Sequence, residues 1–246
     1  MKLTSFAIFG LYILAVILTF RWVTHQPNKD GIPVPLRNTL SFNEKFFSAF
    51  FSGKRASKAF KPADAVGEAR KNGMYGLEDS LDAANWKMIV IHGNNDTLTV
   101  TLDDLKKMPK TDVIFDFKCI EGWSQVTHWA GVRFSDFAKY YKLGTKSGSK
   151  IEDNPSSDWY KYAGLETPNG NYFVGIDMPS MMQLQTILCY EVNGHALPVE
   201  DGAPLRLIIP VKYGVKHLKR IGKIVFADLP PHDYWAESGY DYYAGF

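Results

Sequence analysis

Residues Val113 to Gly131, VIFDFKCIEGWSQVTHWAG, decide how the rest of this sequence is interpreted. Alternate residues from Val113 to Cys119 are apolar and fall on one face, which is the period-two pattern of a β-strand. The alternation ends at Cys119, and a polar, Trp-rich loop is predicted to follow. A cysteine at the inward-facing end of a strand is held rigidly, where its thiolate could ligate a metal or attack a substrate. The structural alternative is an inert thiol that fills the core.

Composition excludes several classes of protein. The 246 residues carry a formal net charge of +2, which is too small to argue for nucleic-acid binding, so no nucleic-acid partner is expected. The sequence contains two cysteines, Cys119 and Cys189, too few for a disulfide scaffold, a zinc-finger array or a cysteine-ligated iron–sulfur cluster. Cys189 lies in the apolar run ILCYEV and is predicted to be a buried, unreactive thiol.

The first residues predict a membrane anchor. Leu3 to Phe20 is an uncharged apolar run of about 18 residues, the length that a helix needs to cross a bilayer. The residues that follow, RWVTHQP, offer no small-x-small cleavage site, which favours an uncleaved anchor over residues 1–23 rather than a signal peptide. The Lys and Arg count on the two sides of the helix weakly favours a cytoplasmic body.

Residues 24–61 are predicted to form a linker and then an amphipathic, basic juxtamembrane segment. Pro, Asn and Gly residues before Arg37 are typical of an extended connection. Phe42, Phe46 and Phe50 then recur at helical spacing. This aromatic face could lie on a membrane surface, contact a partner helix or pack on the protein's own body. The cations that follow it are Lys54, Arg55, Lys58 and Lys61.

The globular body is predicted over residues 62–246 as an α+β domain rich in β-structure. Its strands are short, its long helices are few, and no alternating βαβ rhythm occurs. Two hairpins are expected, the second of which turns at Asn193-Gly194, a pair that favours the type I′ turn. The predicted strands are 86–92, 98–101, 113–119, 159–163, 172–176, 187–192, 195–197, 205–211 and 221–226, and short helices begin at Thr101, Ser135 and Pro179.

A second group of polar residues flanks the strand predicted at 205–211. Asp201, Gly202 and Arg206 stand at its start, and the cationic run KHLKR, residues 216–220, follows its end. Cations at both ends of one strand, beside a glycine that lets the backbone approach closely, suit an anionic ligand such as a phosphate. The alternative is a solvated basic edge.

Taken in order, the motif CIEGWS, the Asn-Gly hairpin, DGAPLRLIIP and YGVKHLK resemble the sulfite oxidase family of molybdopterin-dependent oxidoreductases. The likeness is strongest to the haem-free bacterial branch, which includes the catalytic subunit of protein-methionine-sulfoxide reductase. It extends from Asn72 to the C-terminus. The resemblance implies a sulfite-oxidase-type molybdopterin-binding fold, α+β and rich in β-structure, behind an N-terminal transmembrane helix.

The resemblance also implies a Mo-molybdopterin cofactor and assigns its contacts. Cys119 matches the family's cysteine, whose thiolate ligates molybdenum. Glu121, Trp123 and His128 are candidate catalytic residues, either as pocket walls or in proton transfer. The predicted cofactor-binding residues are Asn72, Tyr75, Gly76, Asp201, Arg206, His217, Leu218 and Lys219.

Several departures from the family pattern bear on activity. Asp201 stands where relatives carry His or Asn, and His128 stands where they usually carry Pro. The Arg-rich pocket of sulfite oxidases has no evident counterpart, since Lys118 precedes Cys119 and the next cation after the cysteine is Arg133. No haem domain is fused, so electrons are expected to pass to or from a separate partner, a haem- or quinone-linked membrane protein.

The resulting prediction is a membrane-anchored molybdopterin-dependent oxidoreductase that transfers an oxygen atom to or from a small molecule or sulfoxide. Exported relatives imply an inner-membrane location with a periplasmic catalytic domain, although no twin-Arg signal is present and the charge count leaves the cytoplasmic side open. One alternative is a non-catalytic pterin-binding or membrane-assembly subunit. Another is a thiol hydrolase in which Cys119 attacks the substrate and His128 or His92 acts as the base.

Overall fold

A computed structural model describes residues 2–50, 56–71, 73–83, 85–92, 96–149, 151 and 156–245 of the chain. Short helices and many short strands confirm the predicted α+β class. The helices are α1 (Lys2–Thr24), α2 (Val34–Ser48), α3 (Leu102–Lys106), α4 (Phe134–Tyr140), α5 (Met178–Met181) and α6 (Tyr234–Glu237). The strands are β1 (Asn28–Lys29), β2 (Ile32–Pro33), β3 (Lys87–His92), β4 (Asp96–Thr101), β5 (Lys110–Lys118), β6 (Ser124–Arg133), β7 (Tyr162–Glu166), β8 (Phe173–Asp177), β9 (Ile187–Val192), β10 (His195–Ala196), β11 (Arg206–Ile208) and β12 (Lys223–Ala227).

The chain forms two compact units. The first comprises Met1–Phe51 and Trp235–Asp241, and the second comprises Ser52–Tyr234 and Tyr242–Phe246. Both five-stranded sheets belong to the second unit. The division of the chain at residues 23 and 61 stays a prediction.

Residues Val113 to Gly131 lie in the β5–β6 hairpin of the first five-stranded sheet. That sheet has the order β10-β9-β6-β5, and β11 also pairs with β9. Val113, Phe115 and Cys119 are 4%, 1% and 5% exposed, so the predicted alternation and the inward-facing cysteine are confirmed. The buried residues of this sheet share one hydrophobic cluster, made of Ala69, Val113, Phe115, Trp129, Ile187, Cys189, Val192, Leu197 and Ile208.

The second five-stranded sheet has the order β4-β3-β12-β7-β8. Its β12–β3 pairing is parallel, and its other pairings are antiparallel. Ile224 of β12 pairs with Val90 on one side and Leu165 on the other, and all three side chains are fully buried. Because β11 belongs to the first sheet and β12 to the second, the segment between them crosses from one sheet to the other. That segment carries the predicted cofactor-binding residues His217, Leu218 and Lys219.

Two features of the first sheet differ from the sequence-based prediction. The Trp-rich loop is a turn confined to residues 119–123, because β6 begins at Ser124 and contains both His128 and Trp129. The strand predicted at 205–211 ends at Ile208, since Pro210 lacks the N–H that a ladder needs. The strands predicted at 159–163 and 221–226 are observed as β7 and β12, displaced toward the C-terminus.

The helix predicted to begin at Ser135 begins at Phe134 as α4, and Arg133 occupies its N-cap position without a side-chain cap hydrogen bond. The helix predicted from Pro179 is the four-residue α5, which begins one residue earlier, at Met178. Its cap is Asp177, whose Oδ1 accepts from Ser180 N–H at 2.9 Å. The helix predicted from Thr101 is confirmed as α3, with the Thr101 hydroxyl as its cap.

The first unit begins with the long apolar helix α1. Residues Thr4–Thr24 have a mean hydropathy of 2.1, and by length and composition they could cross a membrane. The short β1–β2 pair then leads to α2, which begins at Val34 rather than near Leu40. The last four residues of the predicted extended connection are therefore helical. Pro35 is compatible with this start, because the first turn of a helix does not use its N–H groups.

Gly131 offers a test of the β6–β9 packing. A Cβ at this position would lie 2.7 Å from Cys189 Cα and would also overlap the Leu188 carbonyl, and neither backbone group can move without breaking the ladder. We expect Gly131→Ala to lower the free energy of unfolding by about 3 kcal/mol, the upper end of the cost of overpacking.

The measurement is denaturant unfolding of the purified chain followed by tryptophan fluorescence. Gly67→Ala is the matched control, since a Cβ there meets nothing within 4 Å. Equal midpoints for the two variants would show that β6 and β9 do not approach as closely as described.

Candidate active site

Cys119 lies in a tight turn that fixes its backbone. Its N–H donates to the Trp123 carbonyl at 2.9 Å, and its own carbonyl accepts from Gly122 N–H at 3.1 Å. Gly122 has a φ of 89°, a left-handed conformation that glycine adopts without strain. Successive side chains of a strand alternate between its faces, so Cys119 continues the buried face of Val113, Phe115 and Phe117.

An aromatic wall, formed by Phe117, Trp123 and His217, stands at this end of β5. The Phe117 ring centroid is 5.9 Å from that of Trp123, in a stacked arrangement, and 4.8 Å from that of His217, edge to face. The Arg70 guanidinium lies 4.6 Å from the Trp123 ring centroid, and Trp123 Nε1–H donates to Glu121 at 3.1 Å. The wall thus brings the His217 segment to the end of the strand that carries the cysteine.

Arg206 is a buried cation with an incomplete set of partners. β11 pairs it with Cys189, and the residue is 4% exposed. Its guanidinium lies 4.5 Å from the Trp129 ring centroid and donates through Nη1 to the Asp201 carbonyl at 3.0 Å. Its Nε is buried and has no hydrogen-bond partner within the described residues. A buried donor without an acceptor costs free energy, so this N–H favours a ligand that supplies one.

Burial and the Arg206 charge together set the protonation of this region. Burial lowers the pKa of Arg206 itself. Burial, and then repulsion by Arg206, lower the pKa of His217 to about 3 and that of Lys219 to about 8. Burial raises the pKa of Asp201, and the attraction of Arg206 opposes that rise. His217 is therefore a neutral imidazole at physiological pH.

The hydrogen bonds of His217 occupy both of its ring nitrogens. Nδ1 accepts from the Ile209 N–H at 3.4 Å, and Nε2 donates to the Lys212 carbonyl at 3.2 Å. The fully buried Leu218 is fixed beside it, because its carbonyl accepts from Leu207 N–H at 2.9 Å. The backbone N–H of His217 donates to the Gly214 carbonyl at 3.0 Å, so His217 offers a ligand neither a charged side chain nor a free ring nitrogen.

Lys219 joins three predicted segments of the site. Its ammonium group donates to the Gly73 carbonyl at 3.0 Å and to the Glu200 carbonyl at 2.8 Å. The backbone of Gly202 passes so close that a Cβ there would lie 2.8 Å from the Cβ of Lys219. Gly202 also has a φ of 102°, so this close approach needs glycine.

Lys216 has a different role from Lys219, although the sequence places both in one cationic run. Its ammonium group is buried, forms an ion pair with Asp233, and donates to the Gly175 carbonyl at 3.0 Å. The Tyr242 ring centroid lies 4.5 Å away. The interpretation of residues 216–220 as a uniformly ligand-facing or solvated cationic run is therefore wrong at Lys216, which stabilises the fold.

Tyr75 and Gly76 lie beside the same segment. The Tyr75 ring centroid is 5.2 Å from that of Tyr234 and 6.1 Å from that of Tyr172, whose hydroxyl donates to the Val215 carbonyl at 2.7 Å. Gly76 has a φ of 77°, and a Cβ there would overlap the side chain of Thr167. The tyrosines thus connect the early predicted segment to residues 214–216.

The structure does not bring every predicted residue to Cys119. Asn72 lies outside the described residues. Glu121 is exposed and contacts the edge of Trp123. His128 pairs across the ladder with Ile114, on the opposite face of the sheet from Cys119, and its Nε2 lies 2.7 Å from Asp112 Oδ1. Its position therefore does not support the predicted catalytic role. His128 and Cys119 are close in the sequence, but their side chains lie on opposite faces of the sheet.

Three residues that support the site were not predicted. Asp233 neutralises Lys216, Tyr172 holds the carbonyl of Val215, and Arg70 covers Trp123. Each contact joins residues that are distant in the sequence, and no local pattern marks them. The aromatic richness of the C-terminal part was the one available signal for Tyr172, and it could not identify a partner.

Residues 75–235 match the family described as oxidoreductase molybdopterin binding domain. The chain belongs to this family. The match covers every predicted cofactor-binding residue except Asn72, and the resemblance to the sulfite oxidase family is thereby confirmed. Molybdopterin is the cofactor of this family, so the cofactor prediction is confirmed with it.

Two relatives are catalytic subunits of protein-methionine-sulfoxide reductase, MsrP. The chain is 31% identical to that of Campylobacter jejuni over 68% of its own length and 59% of the relative's. It is 33% identical to that of Ralstonia nicotianae over 59% of its own length and 46% of the relative's. The matched region therefore spans less than two thirds of either relative.

A solved structure, the sulfane dehydrogenase SoxCD from Paracoccus pantotrophus, shares the fold. Its TM-score is 0.50 at 20% identity, over 62% of this chain and 40% of that one. The sulfite-oxidase-type fold expected from the sequence motifs is confirmed by this likeness together with the family match.

The described residues fit a pterin with a phosphate group. Arg206 supplies a buried N–H that lacks an acceptor, and the polar atoms of a pterin ring could accept its hydrogen bond. Gly202 has no side chain, so its backbone lies directly beside Lys219. Lys219 supplies a cation suited to a phosphate. Cys119 supplies a soft thiol at the end of a rigid strand, which suits molybdenum.

The depressed pKa of His217 predicts a specific dependence of stability on pH. The unfolded chain binds a proton at this residue below about pH 6.5, whereas burial holds the folded pKa at about 3. The unfolded state therefore binds more protons between these values, and the free energy of unfolding falls as pH decreases from about 6.5 toward 3. The expected slope from this residue is at most about 1.4 kcal/mol per pH unit.

Urea unfolding of wild type and His217→Gln at a series of pH values tests this expectation. Carboxylates contribute to both profiles, so the difference between the two curves reports His217. The difference should shrink as the pH decreases below about 6.5. Parallel curves throughout would mean that His217 is not buried as a neutral ring.

Proposed function

We propose that this chain is a membrane-anchored molybdopterin oxidoreductase that reduces sulfoxides, with methionine sulfoxide as its substrate class. The observation that carries the proposal is the buried Nε–H of Arg206, which lacks an acceptor among the described residues. Arg206 lies in the same sheet as the strand that leads to Cys119, and burial and then the charge of Arg206 lower the pKa of Lys219. Bound molybdopterin supplies oxygen-atom transfer at molybdenum. Reduction of a sulfoxide consumes two electrons and two protons and releases the sulfide and water.

The residues of the chain bind and orient the cofactor in this proposal. Cys119 would be the thiolate ligand of the metal, and the Arg206 Nε–H would donate to the pterin. The Lys219 ammonium and the segment of residues 217–219 would hold the phosphate, while Tyr75 and Gly76 would border the pterin. His217 acts through its position rather than through charge, because both ring nitrogens are engaged by the backbone.

The aromatic wall supports an uncharged sulfur substrate. Phe117 and Trp123 present stacked rings at the Cys119 end of β5, and sulfur groups make favourable contacts with aromatic rings. Arg70, the cation that stacks on this wall, lies over the Trp123 ring. A sulfite-binding site would require several cations, so the wall favours a sulfoxide over sulfite.

A separate redox partner and a membrane location belong to the same proposal. The MsrP relatives are named as catalytic subunits, which implies that other subunits complete them. The apolar helix α1 supports anchoring in the inner membrane, with the second unit on the periplasmic side. We infer that a haem- or quinone-linked membrane protein supplies the electrons.

Two other functions are distinguishable. A non-catalytic pterin-binding subunit is favoured by Asp201, a buried carboxyl where the family pattern has His or Asn. A thiol hydrolase would need a base beside Cys119. The described positions of His128, on the opposite face, and of His92, in the second sheet, do not support that arrangement.

Replacement of Cys119 tests the metal site. We expect Cys119→Ala, produced in a host that makes molybdopterin, to lose methionine-sulfoxide reduction with an artificial electron donor and to change the molybdenum signal. Cys189→Ala is the matched control, because that thiol is also buried and its pKa is raised by burial to about 12. His128→Ala should retain activity. Bound pterin and metal without turnover in wild type would favour the non-catalytic subunit.

Replacement of Arg206 tests the pterin contact independently of turnover. We expect Arg206→Gln to lower the fluorescence of the oxidised pterin released per protein, because the substitution removes the donor that lacks an acceptor. Arg133→Gln is the control, since Arg133 also has a buried Nε without a partner in the described residues but lies at the other end of β6 from the Cys119 turn. Equal pterin release from the two variants would contradict the assignment.

A further inference from the structure

We propose that α2 and the turn after it lie on the surface of an anionic lipid bilayer through four side chains, Phe42, Phe46 and Phe47 of α2 and Phe50 of the turn, here called the phenylalanine face. The inference rests on the proposed anchoring by α1 and adds a second contact with the same bilayer. It requires no assumption about the cofactor or the reaction.

The phenylalanine face is a continuous exposed aromatic patch. Its four residues are 65%, 51%, 63% and 67% exposed, in chain order. The Phe46 ring centroid lies 6.2 Å from that of Phe42, 5.2 Å from that of Phe47 and 5.4 Å from that of Phe50. Large rings that contact one another and remain open to water mark a surface that meets another apolar phase.

The opposite side of α2 is fixed within the first unit. Arg37 is 7% exposed, and its guanidinium donates to the carbonyls of Asp30 at 2.6 Å, Ala236 at 2.8 Å and Tyr240 at 2.9 Å. At about 100° per residue, Phe46 lies half a turn around the helix from Arg37. The contacts of Arg37 therefore leave Phe46 and Phe42, which lies about 140° from Arg37, pointing away from the residues that hold the helix.

The start of α2 lies close to the end of α1. The Val34 N–H, at the first residue of α2, donates to the Pro27 carbonyl at 2.9 Å, and Pro27 follows the end of α1 at Thr24 by three residues. A helix that spans a bilayer ends near the headgroups. If α1 spans, α2 begins at the level of the headgroups, where amphipathic helices bury an aromatic face.

The charges around the phenylalanine face favour lipid over a protein groove. No acidic residue occurs in the sequence between Glu44 and Asp64. A cationic run next to an aromatic helix suits anionic headgroups, because these attract each cation. A neutral protein groove would not attract the cations. The cations in this interval are Lys45, Lys54, Arg55, Lys58 and Lys61.

Spin-label accessibility on the full chain in vesicles of phosphatidylcholine and phosphatidylglycerol tests the proposal. Labels are placed at Phe46→Cys or Phe42→Cys, with Ser41→Cys as the matched control, since Ser41 lies four residues after Arg37 and therefore on the Arg37 side of α2. The native thiols, Cys119 and Cys189, are buried and should label poorly. We expect the ratio of oxygen to nickel-chelate accessibility to be severalfold higher at Phe46 and Phe42 than at Ser41. That ratio should fall when phosphatidylglycerol is omitted.

Two outcomes would overturn the proposal. Labels at both phenylalanine positions that are as open to the chelate as the label at Ser41 would place the face in water. Labels shielded from both oxygen and chelate would place it against protein, either the second unit or a partner. Flotation of the chain with the vesicles reports anchoring by α1 separately, so failure of the proposed anchor is distinguishable from failure of the α2 contact.

Discussion

The candidate site depends on the burial of one positive charge, that of Arg206. A guanidinium in a low-dielectric interior is costly unless its donors are satisfied, and here Nη1 binds the Asp201 carbonyl, the plane lies on Trp129, and Nε has no acceptor in the described chain. Burial, and then this positive charge, lower the pKa values of the neighbouring His217 and Lys219. His217 is neutral, and the Lys219 ammonium donates to the backbone carbonyls of Gly73 and Glu200. The cations of this region suit a polar, anionic ligand.

The fold positions this charge by joining two sheets. β11 places Arg206 opposite Cys189 in the first sheet, and β12 begins in the second sheet after the chain has passed His217 and Lys219. In the same sheet, β5 ends at Lys118, one residue before Cys119. The predicted metal ligand and the predicted pterin donor thus belong to one sheet, in which β6 and β9 separate their strands, and the residues that suit a phosphate lie on the connection that leaves it. The hydrogen bonds of that sheet fix the positions of these groups.

The sequence predicted those parts of the site that a local pattern encodes. Period-two alternation identified the strand and the burial of Cys119, and the ordered motifs identified the family. It could not distinguish Lys216 from Lys219, because only the distant Asp233 makes the first a structural cation. It also grouped His128 with Cys119, although an antiparallel register sends their side chains to opposite faces. Element ends were less well predicted where a single residue such as Pro210 stops a ladder.

The ion pair between Lys216 and Asp233 has a consequence for the order in which the protein is made. A ribosome that has completed Lys219 has already produced every residue assigned to the cofactor. At that moment Lys216 lacks its carboxylate, and a buried ammonium without a counterion opposes closure of the connection that contains it. Domains generally fold as units during synthesis, which proceeds at about 5–20 residues per second. The connection gains the counterion of Lys216 only after Asp233 has been made, so a site whose residues are all present in the chain still depends on a later residue for its stability.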